Sequence, residues 1–445
     1  MLCKIDQGSI NDAQRILTLL CFAPRPLTLR ELIDGIAVEI NEPVGFNDDC
    51  RFEDYNDIRD ICPGLVDINV TADQTTEPYD YENSSLTVRI AHFSVQEYLE
   101  SERIRTQKAA IFGLNDVTAH TEIAQICLIY LLNPGLSSSN LDQSLLKEFP
   151  LAHFAAMYWY YHYQNVANHV PGLEDFVLKL LQHQDSFATW VKLHDVDQPW
   201  DTTVNFDRML GNIPAPIYYA SLLGLDRALH GLNNGEQPES TNTSFIARIH
   251  NQRLLDVNAQ GGRYGNALQA ASLRGHKEVV QMLVDKGADV NAQGGRYSNA
   301  LQAASEGGHK EVVQMLVDKR ADINAQGGFY GNALQAASLR GHKEVVQMLV
   351  NKGADINAQG GFYGNALQAA SLRGHKEVVQ ILVNKGANIN AQGRRYGNAL
   401  QAASKGGHKE VVQILVDKGA DINAQGRCYG NALQAASEGG NKEVV

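Results

Sequence analysis

From about Asp256 onward the chain repeats one stretch, typified by NAQGGRYGNALQAASLRGHKEVVQMLVDKGAD, with few changes. Its tyrosine marks the register, because Tyr264, Tyr297, Tyr330, Tyr363, Tyr396 and Tyr429 fall 33 residues apart. A fixed period of that length means one supersecondary unit used again and again. Such a unit cannot bury its own apolar face, so its stability must come from stacking on its neighbours. A solenoid follows.

The residues of the unit say how each copy folds. Gly265, Gly331, Gly364, Gly397 and Gly430 predict a tight turn before a first helix. The asparagine after each, Asn266 and its equivalents Asn299, Asn332, Asn365, Asn398 and Asn431, is placed to cap that helix. Leu268, Ala270 and Ala271 keep the helix thin, and Gly275 ends it in the left-handed conformation. His276-Lys277-Glu278 opens a second helix, whose Val279, Val280, Met282, Leu283 and Val284 supply larger core groups. Gly287 ends that helix, and Asp289-Val290-Asn291-Ala292 leads into the next hairpin. The unit resembles the ankyrin repeat. Where the ankyrin pattern has Thr-Pro-Leu-His, this chain has Asn-Ala-Leu-Gln, so the hydrogen bond of the family's histidine to the hairpin must come from Gln269 and its equivalents. Pro214 to Leu225 resembles the same pattern loosely and reads as a worn first repeat that caps the stack. From Pro216 to Ala267 is 51 residues, one period plus an 18-residue insertion, which the polar stretch Gly235–Asn242 supplies. The array stops at Val445, part-way into a unit in which Asn441 replaces the usual histidine, so the last full repeat is expected to expose apolar surface.

Against near-identity, the variable positions stand out. One series lies at the hairpin tip: Arg263, Arg296, Phe329, Phe362, Arg395 and Cys428. The other ends the first helix: Leu273-Arg274, Glu306-Gly307, Leu339-Arg340, Leu372-Arg373, Lys405-Gly406 and Glu438-Gly439. In ankyrin proteins these regions line the concave face and fingertips that meet protein partners, and exposed Arg and aromatic groups make interface hot spots. Neutral substitution at unconstrained surface sites would give the same variation. Both readings stand at this stage.

The front of the chain is different. Residues 11–23 read as a helix with Ile16, Leu17, Leu19 and Leu20 inward, stopped by Pro24 and Pro26. A second helix begins at Leu29 with Thr28 as its N-cap, and the stretch from Cys50 to Pro63-Gly64 suggests a third. Two strand-like runs, Leu65–Val70 and Leu86–Ile90, flank a polar stretch (71–85) like a hairpin wing. A further helix resumes at Ser94, with Ser94 and Glu97 in capping-box spacing. Helices followed by a hairpin make a winged-helix pattern. The strings RPLTLRELIDGIAV, ICPGLV and IAHFSVQEYLES resemble the winged-helix module that follows the NACHT ATPase in fungal STAND (NLR-like) proteins. Further on, helical periodicity runs through Thr121–Leu132 and Leu151–Tyr163, where Phe154, Met157, Tyr158 and Tyr161 share one face. PLAHFAAMYWYYH resembles the helical linker of the same proteins. The expected fold is therefore mainly α: a small α/β winged-helix domain (1–110), a helical linker (111–200), a degenerate capping repeat with its insertion (201–255), and an ankyrin solenoid (256–445) of five full repeats and a truncated sixth.

Charge and motifs narrow the function. Residues 256–445 carry 21 basic against 16 acidic side chains, a balance of +5, and residues 1–255 carry 17 against 34, a balance of −17, which together give −12. An acidic front half argues against a DNA-reading groove, which needs a basic face. No GxxxxGK[ST] loop is present to cradle phosphates, although in the resembling family an ATPase lies upstream. His153, His162 and His169 lie close in sequence without an HExxH or Cys/His cluster. The His-x-Glu triplets (His276/Glu278, His309/Glu311) lack the P-C-x-x-C that zinc deaminases need and read as turn-and-cap residues. No GxSxG elbow occurs. The six cysteines show no framework spacing and read as free thiols. No signal peptide and no apolar run of about 18 residues is present, so the expectation is a cytoplasmic protein with no membrane span. No cofactor, metal or nucleic acid is expected. The reading is a non-catalytic interaction protein, the ankyrin sensor arm of a fungal NLR-like receptor, with a stand-alone ankyrin scaffold as the alternative. Partner residues are expected at the concave face and fingertips: Arg263, Arg296, Phe329, Phe362, Arg395, Cys428, Leu273, Arg274, Leu339, Arg340, Leu372, Arg373 and Lys405.

Overall fold

The short N-terminal helix α1 (Ile10–Phe22) buries Ala13, Ile16, Leu17 and Leu19, while Leu20 is only half-buried. After the proline turn, β1 (Leu27–Thr28) leads directly into α2 (Leu29–Ile36). Thr28 caps α2 as expected, in a reciprocal pair: Glu31 N–H donates to Thr28 Oγ1 (3.2 Å) and Thr28 N–H donates to Glu31 Oε2 (2.7 Å). A small ribbon, β2 (Val38–Glu39) with β3 (Gly45–Phe46), follows. Then come α3 (Asn56–Ile61), β4 (Val66–Val70), β5 (Leu86–Ile90), α4 (Phe93–Glu100) and α5 (Glu102–Arg105). The sheet order is β1-β5-β4, antiparallel throughout, with Val88 opposite both Leu27 and Ile68. This is the winged helix that the sequence pattern predicts. The structure, a computed structural model, describes all residues except 1, 42–43, 53, 55, 71–85, 138–140, 167–169, 171, 234–255, 394, 427–429 and 445. The polar stretch between β4 and β5, the Gly235–Asn242 insertion, His169 and Cys428 therefore lie outside the described residues.

Several local expectations are corrected. The third helix is limited to α3, because Arg51 is extended (φ −68°, ψ 135°) and its guanidinium is engaged by Asp34 (2.7 Å) and Asp48 (2.7 Å). The N-cap of α4 is His92, whose Nδ1 accepts from Ser94 N–H (3.2 Å), rather than Ser94 with Glu97. The long helix α6 spans Asp116–Leu131, starting before Thr121, because Asn115 accepts from the N–H groups of Val117 (3.1 Å) and Thr118 (3.3 Å).

Past α7 (Pro134–Ser137) and α8 (Gln143–Glu148), α9 (Ala152–Gln164) packs along α6. Its buried face is Ala152, Ala155, Ala156, Trp159 and His162, not the expected stripe: Met157 and Tyr158 are half-buried and Tyr161 is 45% exposed. Trp159 fills the interior beside the small Ala152, Ala155 and Ala156 at close packing, while Tyr158 and Tyr161 are left partly exposed. Phe154 stays buried. His162 meets His120 of α6, Nδ1 to Nδ1 at 2.8 Å, and burial holds its pKa down at about 3. Next, α10 (Leu173–Gln182) and α11 (Gln184–Leu193) close the unit, with Trp190 donating to Ala156 O (3.2 Å) and set edge-on to Trp159. Asp34, buried in α2, accepts from both Arg51 and the Tyr130 hydroxyl, tying α2 to α6.

The chain divides into two units, Met1–Leu210 and Gly211–Val445. The second opens with α12 (Pro216–Leu223) and α13 (Asp226–Asn233), separated by Gly224 in the left-handed conformation (φ +72°). The repeats then alternate first helices (Ala267–Arg274, Ala300–Gly307, Ala333–Arg340, Ala366–Arg373, Ala399–Gly406, Ala432–Glu438) with second helices (Lys277–Asp285, Lys310–Asp318, Lys343–Asn351, Lys376–Asn384, Lys409–Asp417). Each first helix is capped by its asparagine, and α12 stacks on the first of them.

The glutamine substitution works as the sequence demands. Gln335 Nε2 donates to Ala358 O (3.2 Å), Gly360 O (3.4 Å) and Gly364 O (2.7 Å), so one side chain holds the following hairpin. Gly265 sits at φ +108°, where an added Cβ would lie 2.0 Å from Gln269 Oε1, which explains the glycine. Ser298 occupies the equivalent place at φ +72°.

The repeat histidines are a correction: none caps its own helix with its side chain. Instead each Nε2–H reaches back to a carbonyl of the preceding repeat, His309 to Leu273 O (2.8 Å), His342 to Glu306 O (2.9 Å), His375 to Leu339 O (2.9 Å) and His408 to Leu372 O (3.0 Å). His276 does the same to Leu222 in α12 (3.2 Å), so α12 is stitched to the stack as the first helices are to one another. Asn441 substitutes for histidine by donating to Ser404 O and Lys405 O, both at 2.9 Å. Leu433 is 54% exposed, while its equivalents in earlier repeats are buried.

Candidate protein-interaction surface

Each hairpin is closed at its neck by one backbone bond, such as Gly327 N–H to Gly331 O (2.8 Å) and Gly360 N–H to Gly364 O (2.8 Å). Neighbouring tips are linked in turn: Arg296 N–H donates to Arg263 O (3.1 Å) and Phe362 N–H to Phe329 O (2.9 Å). The period of the sequence thus becomes a row of side chains, a crest whose tips are tied in pairs. Tyrosines stack beneath it, Tyr264 on Tyr297 (5.8 Å between centroids), Tyr297 on Tyr330 (5.7 Å), and Tyr363 on Tyr396 (6.3 Å). Burial and the nearby Glu306 push the Tyr297 hydroxyl pKa up to about 12, so this phenol is a neutral packing group.

On the crest, Phe329 and Phe362 stack at 5.0 Å, and the Arg395 guanidinium lies 4.3 Å over the Phe362 ring. Phe329 is 42% exposed, Arg296 and Arg395 are exposed, and Arg263 and Phe362 are half-buried. Aromatic faces attract a guanidinium through the ring quadrupole. The structure thus brings Phe329, Phe362 and Arg395 into one exposed cluster.

The second variable series is more involved with itself. Arg274, Arg340 and Arg373 are exposed, Leu273, Leu372 and Lys405 are half-buried, and Leu339 is 4% exposed. Glu306 accepts from Arg340 Nε (2.8 Å) and from the Tyr330 hydroxyl (3.4 Å), and Lys405 lies 3.7 Å from Glu438. These changes therefore pair across neighbouring repeats, acid against base, which sequence comparison at a fixed column does not reveal. A third variable column, Asp285, Asp318 and Asp417 against Asn351 and Asn384, recurs at the same 33-residue period. Among the described residues no group of three or more His, Cys, Asp or Glu side chains is placed to hold a metal, and no helix is long and apolar enough to cross a membrane.

The stacked hairpins, paired helices, forward-reaching glutamines and reaching-back histidines are decisive for the fold of this unit. The C-terminal repeats are ankyrin repeats. The family profile described as ankyrin repeats (3 copies) matches residues 239–327, 268–360, 303–393, 334–426 and 366–445. The profile described as the GPI inositol-deacylase winged helix domain matches residues 1–114. A fungal relative, azaphilone pigments biosynthesis cluster protein L of Monascus ruber, is 49% identical over 291 residues, which is 65% of this chain and 58% of that protein. The chain therefore spans less than two thirds of the length of that relative. Among solved structures, the crystal structure of the human ASB11 ankyrin repeat domain matches with 22% identity and a TM-score of 0.43, over 52% of this chain and 95% of that one. An ankyrin stack supports a protein–protein interaction role.

Proposed function

We propose that the chain is a non-catalytic recognition protein whose ankyrin stack is the sensor arm of a fungal NLR-like signalling receptor. The observation that carries this reading is the order of parts: a winged helix of NACHT-associated type at residues 1–114 precedes the repeats. We place the winged-helix module at 1–110, the helical linker at 111–200, the capping repeat at 201–255 and the sensor repeats at 256–445. The partner is a protein that meets the fingertip crest and the ends of the first helices: Arg263, Arg296, Phe329, Phe362, Arg395 and Cys428, with Leu273, Arg274, Leu339, Arg340, Leu372, Arg373 and Lys405. Phe329, Phe362 and Arg395 form its centre, since large apolar and guanidinium groups dominate interface energetics. The protein acts in the cytoplasm, without nucleic acid or membrane insertion.

The relative's name supports a second reading, a scaffold or adaptor among the products of a biosynthetic gene cluster. Mapping the transcript upstream for an in-frame P-loop exon separates the two, because only the receptor reading requires one. Affinity purification with Arg263, Arg296, Phe329 and Phe362 changed to Ala tests the crest. The expected result is loss of the captured partners with unchanged far-UV circular dichroism; equal capture by the variant would sink the crest assignment.

A further inference from the structure

The second helices carry a separate surface. Each has a lysine at its start (Lys277, Lys310, Lys343, Lys376, Lys409) and another just past its end (Lys286, Lys319, Lys352, Lys385, Lys418). Early in the stack the latter is neutralised by the preceding repeat: Lys319 Nζ lies 3.1 Å from Asp285 and Lys352 Nζ lies 3.4 Å from Asp318. Further along, the carboxylate is replaced by an amide at Asn351 and again at Asn384, and Asn388 stands where the other repeats have Asp289, Asp322, Asp355 and Asp421. Lys385 accordingly donates to Asn351 Oδ1 (3.3 Å), an oxygen that attracts the ammonium without cancelling its charge.

Three grooves run between successive second helices, and they pass from balanced charge to one cation in excess. The first, about 480 Å3, has Lys277 and Lys286 against Glu278 and Asp285, and is balanced. The next, about 500 Å3, has Lys277, Lys310 and Lys319 against Glu311 and Asp318, one cation in excess. The third, about 550 Å3, has Lys310, Lys343 and Lys352 against Glu344, with Lys352 already paired to Asp318, so one cation is in excess over a floor containing Met348 and Ile381.

We propose that this outer face, from Lys310 to Lys418, is a docking site for an acidic protein segment. An apolar side chain of that segment rests on Met348 and Ile381, and its carboxylates replace the counter-charges removed at Asn351, Asn384 and Asn388. The occupant is a protein rather than a nucleic acid for two reasons. The lining residues include no aromatic ring on which a base could stack. Glu344, Glu377 and Glu410 also sit directly beside Lys343, Lys376 and Lys409, which suits spaced carboxylates better than a continuous phosphate backbone. The site is distinct from the fingertip crest.

The test restores the carboxylates that other repeats already have, so the variant keeps a proven local structure. A fluorescein-labelled oligoglutamate peptide with a central leucine is titrated into the full chain and followed by anisotropy. Binding should weaken with added salt, and Asn351→Asp with Asn384→Asp and Asn388→Asp should weaken it about tenfold while circular dichroism and melting stay unchanged. Phe329→Ala with Phe362→Ala should leave it intact, which separates this site from the crest. Absence of binding, equal binding by the triple aspartate variant, or tighter binding of a labelled single-stranded oligonucleotide would each overturn the proposal.

Discussion

His120 and His162 face each other across the α6–α9 seam with their Nδ1 atoms 2.8 Å apart. One ring must donate and the other accept, so the two cannot both be protonated in the folded state. Burial lowers both pKa values, and the neighbouring His120 adds to the effect on His162, which falls to about 3 against an ordinary 6.5. The sign follows directly. The unfolded chain binds protons below about pH 6.5 that the folded chain refuses, so this pair's contribution is complete above that pH and is lost as pH falls toward 3. Each such group costs up to about 1.4 kcal/mol per pH unit in that window. Trp159, Trp190 and Trp200 all lie in the first unit, so tryptophan fluorescence reports its unfolding without interference from the repeats. Urea midpoints taken by fluorescence should fall between pH 7 and 5, and His162→Gln should flatten that slope; an equal slope in the variant would remove the pair from the account. The sequence showed His162 but not its partner, since 42 residues separate them and only the packing of two helices brings them together.

At the scale of the element, the repeat replaces two devices of its family with equivalents of the same geometry. Glutamine does the work of the consensus histidine, and Asn441 that of the histidine opening the second helix. Gln335→Ala would leave the hairpin carbonyls that its Nε2 serves without that donor, at a cost of about 1–3 kcal/mol, whereas Gln335→His should recover most of it. Far-UV circular dichroism in urea decides this, and an alanine variant as stable as the parent would mean that solvent already serves those carbonyls. The local rules were readable here because cap, turn and helix are written within one period: Asn332, Gly331 and Gly341 all behave as their types predict. They failed in α9, where aromatic periodicity pointed to Phe154, Met157, Tyr158 and Tyr161. Hydrophobicity marks what can be buried, but the packing around α9 keeps only Phe154 of that stripe and buries Trp159 with Ala152, Ala155 and Ala156, leaving Tyr161 exposed. Crest geometry was half-legible for a related reason. The variable columns showed which residues change, while the stacking of Phe329 on Phe362 and the pairing of Glu306 with Arg340 depend on the distance between columns.

For the molecule as a whole, near-identical repeats joined mainly to their neighbours imply that stability is a sum of repeat terms and interface terms. Deleting residues 324–356 removes one full period and joins Ile323 to Asn357, so the new junction reproduces Ile356 followed by Asn357. The first helices Ala300–Gly307 and Ala366–Arg373 would then stack as their neighbours do now, and His375 would reach the carbonyl of Glu306 in place of that of Leu339. The shortened chain should fold with the same helical signature per residue, and the urea m-value of the circular dichroism transition should fall by roughly a sixth of the repeat unit's share. Fluorescence of the three tryptophans should be unmoved. Removing half a period, residues 324–340, should instead disrupt the stack, because it deletes a first helix and leaves the second helix after it without that support. The same whole-period deletion removes Phe329 and leaves Phe362 with Arg395, so it also divides the crest. If fold persists while partner capture falls, recognition depends on the paired rings. If helicity collapses with the whole-period deletion, the repeats are not interchangeable, and the additive picture of this solenoid is wrong.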